Sequence, residues 1–185
     1  LDQGLSTKNP LRVEVAHTVL TLQSHEDGQV EVDMGAPIFE HSKIPFNAGA
    51  LASKQEFHEM LYALPIKTPA AHDSWIGVVS MGNPHAVVLV DDCGATPVEK
   101  IGPMVQALDV FPEGVNVSFM EIETASAIKL RVFERGVGET LACGSGACAA
   151  VVHGIRLGLL STNVTVTLPG GKLEVTWEDE DAPVW

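Results

Sequence analysis

One segment, residues 145–160, limits the fold of this chain more than any other part of its sequence. Its letters, SGACAAVVHGIRLGLL, are small or apolar at near-helical spacing, and they follow directly on Cys143 and Gly144. A helix that is apolar on nearly every side has to be buried. The sequence therefore predicts one long buried helix over Ser145–Leu160, with the other elements around it.

Short strands account for most of the remaining chain. Runs of β-branched and alternating residues bounded by turn residues are typical of strands. Such runs occupy Leu11–Leu22 with a break near His17, Gln29–Met34 after the Asp27-Gly28 turn, Trp75–Val79, Ala86–Val90, Val115–Ile122, Ile128–Phe133, Val164–Leu168 and Leu173–Trp177. The pattern predicts an α+β fold with a mostly antiparallel sheet.

Three other segments give weaker or different predictions. Gly35–Ala50 contains two prolines, which indicates a linker or a crossing between domains. Lys54–Leu64 fits a helix or a strand equally well. Thr96–Leu108 reads as a short helix interrupted at Gly102-Pro103, because proline disrupts a helix interior.

Charge and cysteine content restrict the class of protein. The 185 residues carry a net charge of −13, which makes nucleic acid and anionic membrane surfaces poor partners. The three cysteines, Cys93, Cys143 and Cys148, are an odd number and lack the spacing of a zinc site. They predict reduced thiols in a cytoplasmic protein without a bound metal.

Cys143 stands where a helix start can change its chemistry. The first N–H groups of a helix lack internal partners and favour anions. Gly144 and Gly146 allow a ligand to approach the backbone, and Ser145 can cap the helix or donate a hydrogen bond. The same field predicts a lowered pKa for the Cys143 thiol. The alternative is that Cys143 is a small buried apolar residue, which is the expectation for Cys148 within the helix.

Five further polar residues sit at strand ends or among apolar neighbours: Asn83, His85, Asn116, Glu134 and Arg135. Each has a purely structural reading, as a turn residue, a core histidine, a loop cap or a surface ion pair. Taken together they suggest a pocket with an anion-binding helix start, a guanidinium for a second carboxylate, a carboxylate for an ammonium group, and amides that fix orientation.

Four motifs resemble the diaminopimelate epimerase family in the same order: SMGNPHAVVLVDD, FPEGVNVSFME, FERGVGETLACGSGACAA and LPGGKLEVTW. The resemblance extends from about Leu11 to Trp185. It implies a mixed β-sheet barrel wrapped around a central helix, in two pseudo-symmetric halves of which the first is incomplete here. Residues 1–46 would be the tail of the N-terminal half, and residues 47–185 the C-terminal half.

The resemblance also implies roles for single residues. Cys143 matches one of two catalytic cysteines, and Gly144 and Ser145 match residues that hold the substrate's α-carboxylate. Asn83, Asn116, Glu134 and Arg135 match groups that bind the substrate, the amides and the guanidinium at its distal end. His85 and Glu134 match residues that tune the pKa of the thiols. The implied enzyme converts LL- to meso-diaminopimelate without a cofactor and is a homodimer at full length.

The sequence departs from this family in two respects, and one of them is that the family's final strand segment is expected to be missing after Trp185. The other catalytic cysteine, in a Cys-Gly-Asn-Gly type of motif, is absent, and neither Cys93 nor Cys148 has that context. We therefore expect an internal fragment that is inactive alone. Two alternatives stay open: a related amino-acid racemase that also works without pyridoxal phosphate, and a non-catalytic binding or dimerising half of a split enzyme.

Overall fold

The computed structural model describes residues 8–15, 18–66 and 75–185, and within them the chain forms twelve strands and two α-helices. The strands are β1 Leu11–Val15, β2 Thr18–Ser24, β3 Val30–Asp33, β4 Ser53–Glu56, β5 Glu59–Ala63, β6 Trp75–Ser80, β7 Pro84–Leu89, β8 Asn116–Thr124, β9 Ala127–Glu134, β10 Gly138–Thr140, β11 Asn163–Leu168 and β12 Gly171–Thr176. The helices are α1 Val98–Gln106 and α2 Gly144–Arg156.

The first three strands form a small antiparallel sheet in the order β1-β2-β3. The hairpin predicted at Asp27-Gly28 is confirmed, and Gly28 supplies the left-handed backbone of its turn with φ of 85°. The run predicted as one strand with a break is two antiparallel strands, β1 and β2. The break itself, near His17, lies outside the described residues.

The remaining nine strands form one mixed sheet. Eight of them follow the order β12-β11-β9-β8-β7-β6-β5-β4, and β10 pairs with the C-terminal residues of β9, beyond the part that pairs with β11. Two pairs are parallel, β7 with β8 and β9 with β11, and the other pairs are antiparallel. The prediction of an α+β fold with a mixed, mostly antiparallel sheet is confirmed. The ambiguous segment Lys54–Leu64 is the β4–β5 hairpin.

The two helices lie on opposite faces of this sheet. On β6, Val79 belongs to the apolar core around α2, whereas Ile76 and Val78 belong to the core around α1. This alternation is the period of two that a strand imposes. Residues 146–154 of α2 are all buried, against β6, β7, β8, β9 and β12. The predicted central helix is therefore confirmed.

The end of α2 differs from the prediction. The helix stops at Arg156 rather than Leu160 because Gly158 adopts φ of 72°, a left-handed conformation that ends a helix. The Gly158 N–H donates to the carbonyl of Ile155 at 2.8 Å, and the Leu159 N–H to that of Gly154 at 3.0 Å. Together with the His58 N–H, which donates to the Arg156 carbonyl at 3.0 Å, these bonds satisfy the last helical carbonyls without a further helical turn.

The predicted interruption of the first helix is wrong. Helix α1 runs continuously from Val98 to Gln106 with Pro103 inside it. At Gly102 the helix lies close against the sheet, because a Cβ there would lie 2.3 Å from Cγ of Phe133. The packing of α1 on β9 therefore outweighs the loss of one helical hydrogen bond at the proline.

The segment predicted as a linker or domain crossing runs between the two sheets and has little regular structure. Between β3 and β4 the chain forms two short 3-10 turns, His41–Lys43 and Ala48–Ala50. A second link is made by the chain end: the Met34 N–H donates to the carbonyl of Val184 at 2.9 Å, and the Trp185 N–H to that of Thr176 at 3.0 Å. Residues 184–185 thus bridge the small sheet and β12.

Candidate active site

The site is built around the first turn of α2, where Cys143 is the N-cap residue. Cys143 has extended backbone angles, φ −138° and ψ 105°, and its carbonyl accepts the first helical bond from the Ala147 N–H at 3.0 Å. The cysteine is buried, 6% exposed, whereas Gly144 is exposed and a Cβ there would meet nothing within 4 Å. The helix start therefore places a buried sulfur beside an open backbone surface whose N–H groups favour an anion.

The Ser145 side chain contacts the Cys143 sulfur and does not cap the helix. The predicted options for Ser145 were a cap or a hydrogen-bond donor, and the N-cap is Cys143, without a side-chain cap bond. The Ser145 hydroxyl lies 3.7 Å from Sγ of Cys143. Gly146 packs closely against the same sulfur, since a Cβ there would lie 3.2 Å from Sγ. The first turn is thus packed around the cysteine.

Asn83 and His85 reach this turn from the start of β7. Nε2 of His85 lies 3.0 Å from Oδ1 of Asn83 and 3.1 Å from Oγ of Ser145, and Nδ2 of Asn83 lies 3.4 Å from the same hydroxyl. An imidazole that donates to an amide oxygen has its proton on Nε2. The one Nε2 hydrogen is shared with Oγ of Ser145, which also accepts from Nδ2 of Asn83, so the serine's own hydrogen is left to donate to Cys143.

His85 is held neutral by its surroundings. Complete burial, reinforced by the positive charge of Arg135, lowers the pKa of His85 to about 3. Its Nδ1 is a buried nitrogen without a hydrogen-bond partner in the described part of the chain. A bare ring nitrogen is an acceptor, and an orphaned N–H would be more costly, so this too favours the Nε2–H tautomer. The histidine acts on Cys143 only through Ser145.

Asn116 holds strand ends together. It is 4% exposed; its Nδ2 donates to the Pro84 carbonyl at 3.2 Å, and its Oδ1 accepts from the Arg135 N–H at 2.9 Å. His85 and Asn116 are direct partners in the parallel β7–β8 pair. The amide therefore fixes the starts of β7 and β8 and the end of β9 beside one another. The predicted site residues lie together at this end of the three central strands.

Glu134 and Arg135 diverge at the end of β9. Oε1 of Glu134 accepts a hydrogen bond from Thr140 at 2.5 Å, whereas Nη1 of Arg135 donates to the Glu113 carbonyl at 2.7 Å. The reading of these two residues as a surface ion pair with each other is therefore wrong. Neighbouring side chains on a strand point to opposite faces, so Glu134 faces the sulfur and Arg135 is left exposed at the rim.

The lowered pKa predicted for Cys143 is wrong for this structure. Burial raises the pKa of the Cys143 thiol, and the negative charge of Glu134 adds to the rise. Hydrogen bonds from Ser145 and from the Gly146 N–H act in the opposite direction. Desolvation of a thiolate outweighs the favourable field of the helix start here.

The other two cysteines are core residues, which the sequence predicted for Cys148 but not for Cys93. Cys93 is 3% exposed on the α1 face of the sheet, and Cys148 is 4% exposed within α2. Burial raises the pKa of Cys93 to about 11 and that of Cys148 to about 12. Neither thiol is prepared to act as a base.

A cavity of about 690 Å³ opens beside the helix start. The β2–β3 hairpin, strand β12 and Trp185 form its walls, and Gly144 and Cys148 lie on its α2 side. This volume is within the range of small-molecule sites, roughly 300–1,000 Å³.

Within the described ranges, no group of three or more His, Cys, Asp or Glu side chains is arranged to hold a metal ion. Nor does any described helix have the length and apolar character needed to cross a membrane.

Thr140 is a site residue that the sequence reasoning missed. Gly136 and Gly138 adopt φ of 77° and 101°, and they turn the chain so that β10 returns along β9. Closely spaced glycines after a strand are the signal that could have placed Thr140 beside Glu134.

Comparison with known proteins agrees with the motifs. A sequence model of the family described as Diaminopimelate epimerase matches residues 77–184. Curated proteins named Diaminopimelate epimerase are similar over 99% of this chain: 52% identical in Ralstonia nicotianae over 183 residues, and 50% identical in Burkholderia thailandensis over 186 residues. The chain spans 62% and 63% of the length of these two relatives.

Solved structures show the same fold at low sequence identity. A phenazine biosynthesis protein of the PhzF family from Bacillus anthracis aligns with a TM-score of 0.57 at 17% identity, over 99% of this chain and 66% of that protein. A hydroxyproline epimerase from Agrobacterium vitis aligns with a TM-score of 0.56 at 14% identity, over 100% of this chain and 57% of that protein. The family match over residues 77–184 and the identity to the curated relatives together show that this chain belongs to the diaminopimelate epimerase family.

Proposed function

We propose that this chain supplies one of two catalytic thiols, Cys143, to an enzyme that converts LL- to meso-diaminopimelate without a cofactor. The observation that carries the proposal is the geometry of the α2 start, where a buried sulfur adjoins the open Gly144 backbone. A substrate carboxylate bound by the helix N–H groups would bring its α-carbon to the sulfur. In support, curated relatives about 50% identical to the chain are named Diaminopimelate epimerase.

The reaction inverts a carbon whose proton is very weakly acidic. A base must remove that proton on one face while an acid delivers another on the opposite face, and two thiols can share these roles. The N–H groups at the start of α2 stabilise the charge that develops on the substrate carboxylate as the proton leaves. In this proposal Gly144 and Ser145 hold the α-carboxylate.

Cys143 enters the reaction as the protonated partner. Burial and the Glu134 carboxylate both raise the pKa of its thiol, so the sulfur carries its proton at neutral pH. It therefore donates in the direction in which the second cysteine is the thiolate base, and the two thiols titrate as a coupled pair. His85 and Glu134 are the groups that set this balance, His85 through Ser145 and Glu134 directly.

The distal end of the substrate is assigned to the polar rim. Asn83 lies within reach of the first turn of α2, and Arg135 is exposed beside the Asn116 amide. A guanidinium at this position can bind a second carboxylate in a bidentate manner. A substrate without that carboxylate would leave Arg135 unpaired, which is a basis for selecting a diamino diacid.

The chain alone should not turn over substrate. Cys93 lies on the other face of the sheet from α2, and Cys148 lies on the same helix as Cys143, so neither can act on the opposite face of a bound amino acid. We propose that the second thiol belongs to a part of the protein outside these 185 residues. In this arrangement residues 1–46 are the tail of an N-terminal half and residues 47–185 are the C-terminal half. A homodimer at full length and a cytoplasmic location remain predictions.

Proton exchange in D2O tests the function. LL-diaminopimelate is added to the 185-residue chain and to a full-length protein that contains it, and NMR follows loss of the α-proton signal and appearance of the meso isomer. We expect exchange only at full length, abolished by Cys143→Ala and retained by the control Cys93→Ala. Exchange by the 185-residue chain would refute the two-half arrangement. Undiminished exchange in Cys143→Ala would refute the role of this thiol.

A further inference from the structure

Two segments connect the small sheet to the large sheet in the described part of the chain. The first is the crossing, residues 35–50, which runs from β3 to β4. The second is the return segment, residues 177–185, which comes back from β12 to the small sheet: the Val184 N–H donates to the Gly35 carbonyl at 3.0 Å. The orientation of the small sheet therefore depends on how firmly these two segments are held.

One side chain, Arg156, contacts both segments. Its guanidinium carbon lies 4.0 Å from the centre of the Phe39 ring in the crossing, which is a cation–π arrangement. Its Nη1 donates to the carboxylate of Glu180 in the return segment. Phe39 packs in turn on Trp177, with ring centroids 6.1 Å apart. Arg156 therefore lies where the two connections meet.

The arginine is itself fixed to the large sheet. Its Nε donates to Oε2 of Glu59 on β5 at 2.6 Å. The β4–β5 turn adds a reciprocal pair of bonds, because Nη2 of Arg156 donates to the His58 carbonyl and the His58 N–H donates to the Arg156 carbonyl at 3.0 Å. Each guanidinium nitrogen thus has its own acceptor, and a planar fork held in this way has a defined orientation.

The partner carboxylate is buried in a space that the sheet provides. Glu59 is 4% exposed, and its Oε1 lies 3.3 Å from Nδ1 of the buried His153, within ion-pair distance but not aligned for a hydrogen bond. A Cβ at Gly77 would lie 2.0 Å from that nitrogen and 3.0 Å from Oε1, so only glycine leaves room for the pair. Because a buried carboxylate without its cation is strongly unfavourable, Arg156 is held in place from below.

We propose that Arg156 is a positioning residue, which holds the crossing and the return segment together and thereby fixes the small sheet relative to the large one. In the two-half arrangement Phe39 belongs to the N-terminal half and Arg156 to the C-terminal half. Arg156 is the last residue of α2, and Cys143 is the N-cap of the same helix. The position of the second thiol relative to Cys143 then depends on this contact. That last step rests on the proposed function.

Single substitutions can release each connection separately. Phe39→Leu and Glu180→Gln each remove one contact and leave the buried ion pair of the arginine intact. Glu123→Gln is the matched control for Glu180→Gln, because Glu123 is also an exposed carboxylate paired with a cation, Lys129 at 3.0 Å, but lies on β8. Arg156→Lys keeps the charge and loses the fork, so one ammonium group replaces three differently directed donors.

Hydrogen exchange of the 185-residue chain, followed amide by amide with NMR, tests the contact without any turnover. The reporters are the N–H groups of Met34 and Val184, whose bonds join the small sheet to the return segment. We expect both to exchange about 2- to 5-fold faster in Phe39→Leu and in Glu180→Gln, which is the effect of losing a cation–π contact or an exposed ion pair. Amides at the centre of β8 should keep their wild-type rates, and Glu123→Gln should leave both reporters unchanged.

Turnover at full length tests the positioning of the thiols. In a full-length protein that contains this chain, Arg156→Lys should lower kcat for LL-diaminopimelate by about 10- to 100-fold, since a displacement of about 1 Å between reacting groups can cost about 100-fold. KM should stay near its wild-type value, because the α2 start that binds the α-carboxylate is untouched. Rates are expressed per folded molecule, so an arginine that only stabilised the fold would leave kcat unchanged. If Arg156→Lys does not fold, Phe39→Leu gives the same test with the buried pair intact.

Three results would overturn the proposal. The first is wild-type exchange at Met34 and Val184 in both partner variants. The second is an equal rise at the centre of β8, because the contact would then stabilise the whole fold and not the two connections. The third is an unchanged kcat per folded molecule together with faster exchange at both reporters. If the full-length wild type does not convert diaminopimelate, the proposed function fails by itself, and the exchange rates still decide whether Arg156 holds the two segments.

Discussion

Mild acid should destabilise this chain through one buried histidine, His85. The side chain is 0% exposed, and its Nε2 is bound to Asn83 and Ser145. Burial and the nearby Arg135 charge lower its pKa from 6.5 to about 3. In the unfolded chain the imidazole becomes accessible to solvent and takes up its proton near pH 6.5, an ordinary value for histidine.

The sign and size follow from proton linkage. Between pH 6.5 and 3 the unfolded chain binds one more proton at His85 than the folded chain does, so the free energy of unfolding decreases as the pH falls through this window. The contribution is fully present above pH 6.5. With these two pKa values, lowering the pH from 7.5 to 5 should remove about 2 kcal/mol of stability, which is a large share of the 5–15 kcal/mol typical of a domain.

Urea unfolding at a series of pH values measures this effect. Wild type is compared with His85→Gln, which retains a side-chain amide for Asn83 and Ser145 but has no proton to gain. The variant should lose about 2 kcal/mol less than wild type between pH 7.5 and 5. His58→Gln removes an exposed histidine by the same substitution and controls for the general effect of losing one.

A direct measurement covers the case in which the variant does not fold. The imidazole Cε1–H resonance of His85 in the wild-type chain should stay in its neutral position from pH 7.5 to 5. A midpoint near pH 6.5 for this resonance, or the same pH dependence of unfolding in wild type and His85→Gln, would refute the reasoning. It would mean that water reaches the imidazole, which the observed packing does not allow.

Two further predictions concern the thiols and the core. With iodoacetamide at pH 8.5, Cys143 should be alkylated before Cys93 and Cys148, because burial raises the pKa of the latter two to about 11 and 12. Mass spectrometry of the cysteine peptides gives the order of labelling. Labelling of either core cysteine before Cys143 would contradict this prediction. Gly77→Ala should destabilise the chain by about 1–3 kcal/mol, because its Cβ would lie 2.0 Å from Nδ1 of the buried His153. Thermal unfolding measures the loss, and an unchanged Tm would show that α2 can shift away from β6.

Much of the fold could be predicted because it follows local rules. Alternating β-branched runs gave most of the strands, and Asp27-Gly28 gave a hairpin. The boundaries of both helices were less accurate. Gly158 ends α2 early through a left-handed backbone, and α1 continues through Pro103 because Gly102 lets it pack closely on Phe133. Close packing between distant segments is not visible in a local pattern.

The candidate site was predicted in its membership and only partly in its chemistry. The motifs identified Cys143 and the polar residues that the sheet register gathers around it. The sequence did not reveal that the hydroxyl of Ser145 would be directed at the sulfur, or that both ends of the Asn116 amide would bind the backbone. These contacts depend on which strand ends lie side by side, and that is decided by the pairing of β7, β8 and β9.

By itself the sequence determined the central helix, the strands, the family, and the thiol at the helix start. These properties depend on residue order over short distances. Only the tertiary structure decided the protonation of the site. A helix start alone would lower the pKa of Cys143, but enclosure by the sheet and the approach of Glu134 raise it. Desolvation and charge act through space, so their balance depends on segments far apart in the chain that folding brings together.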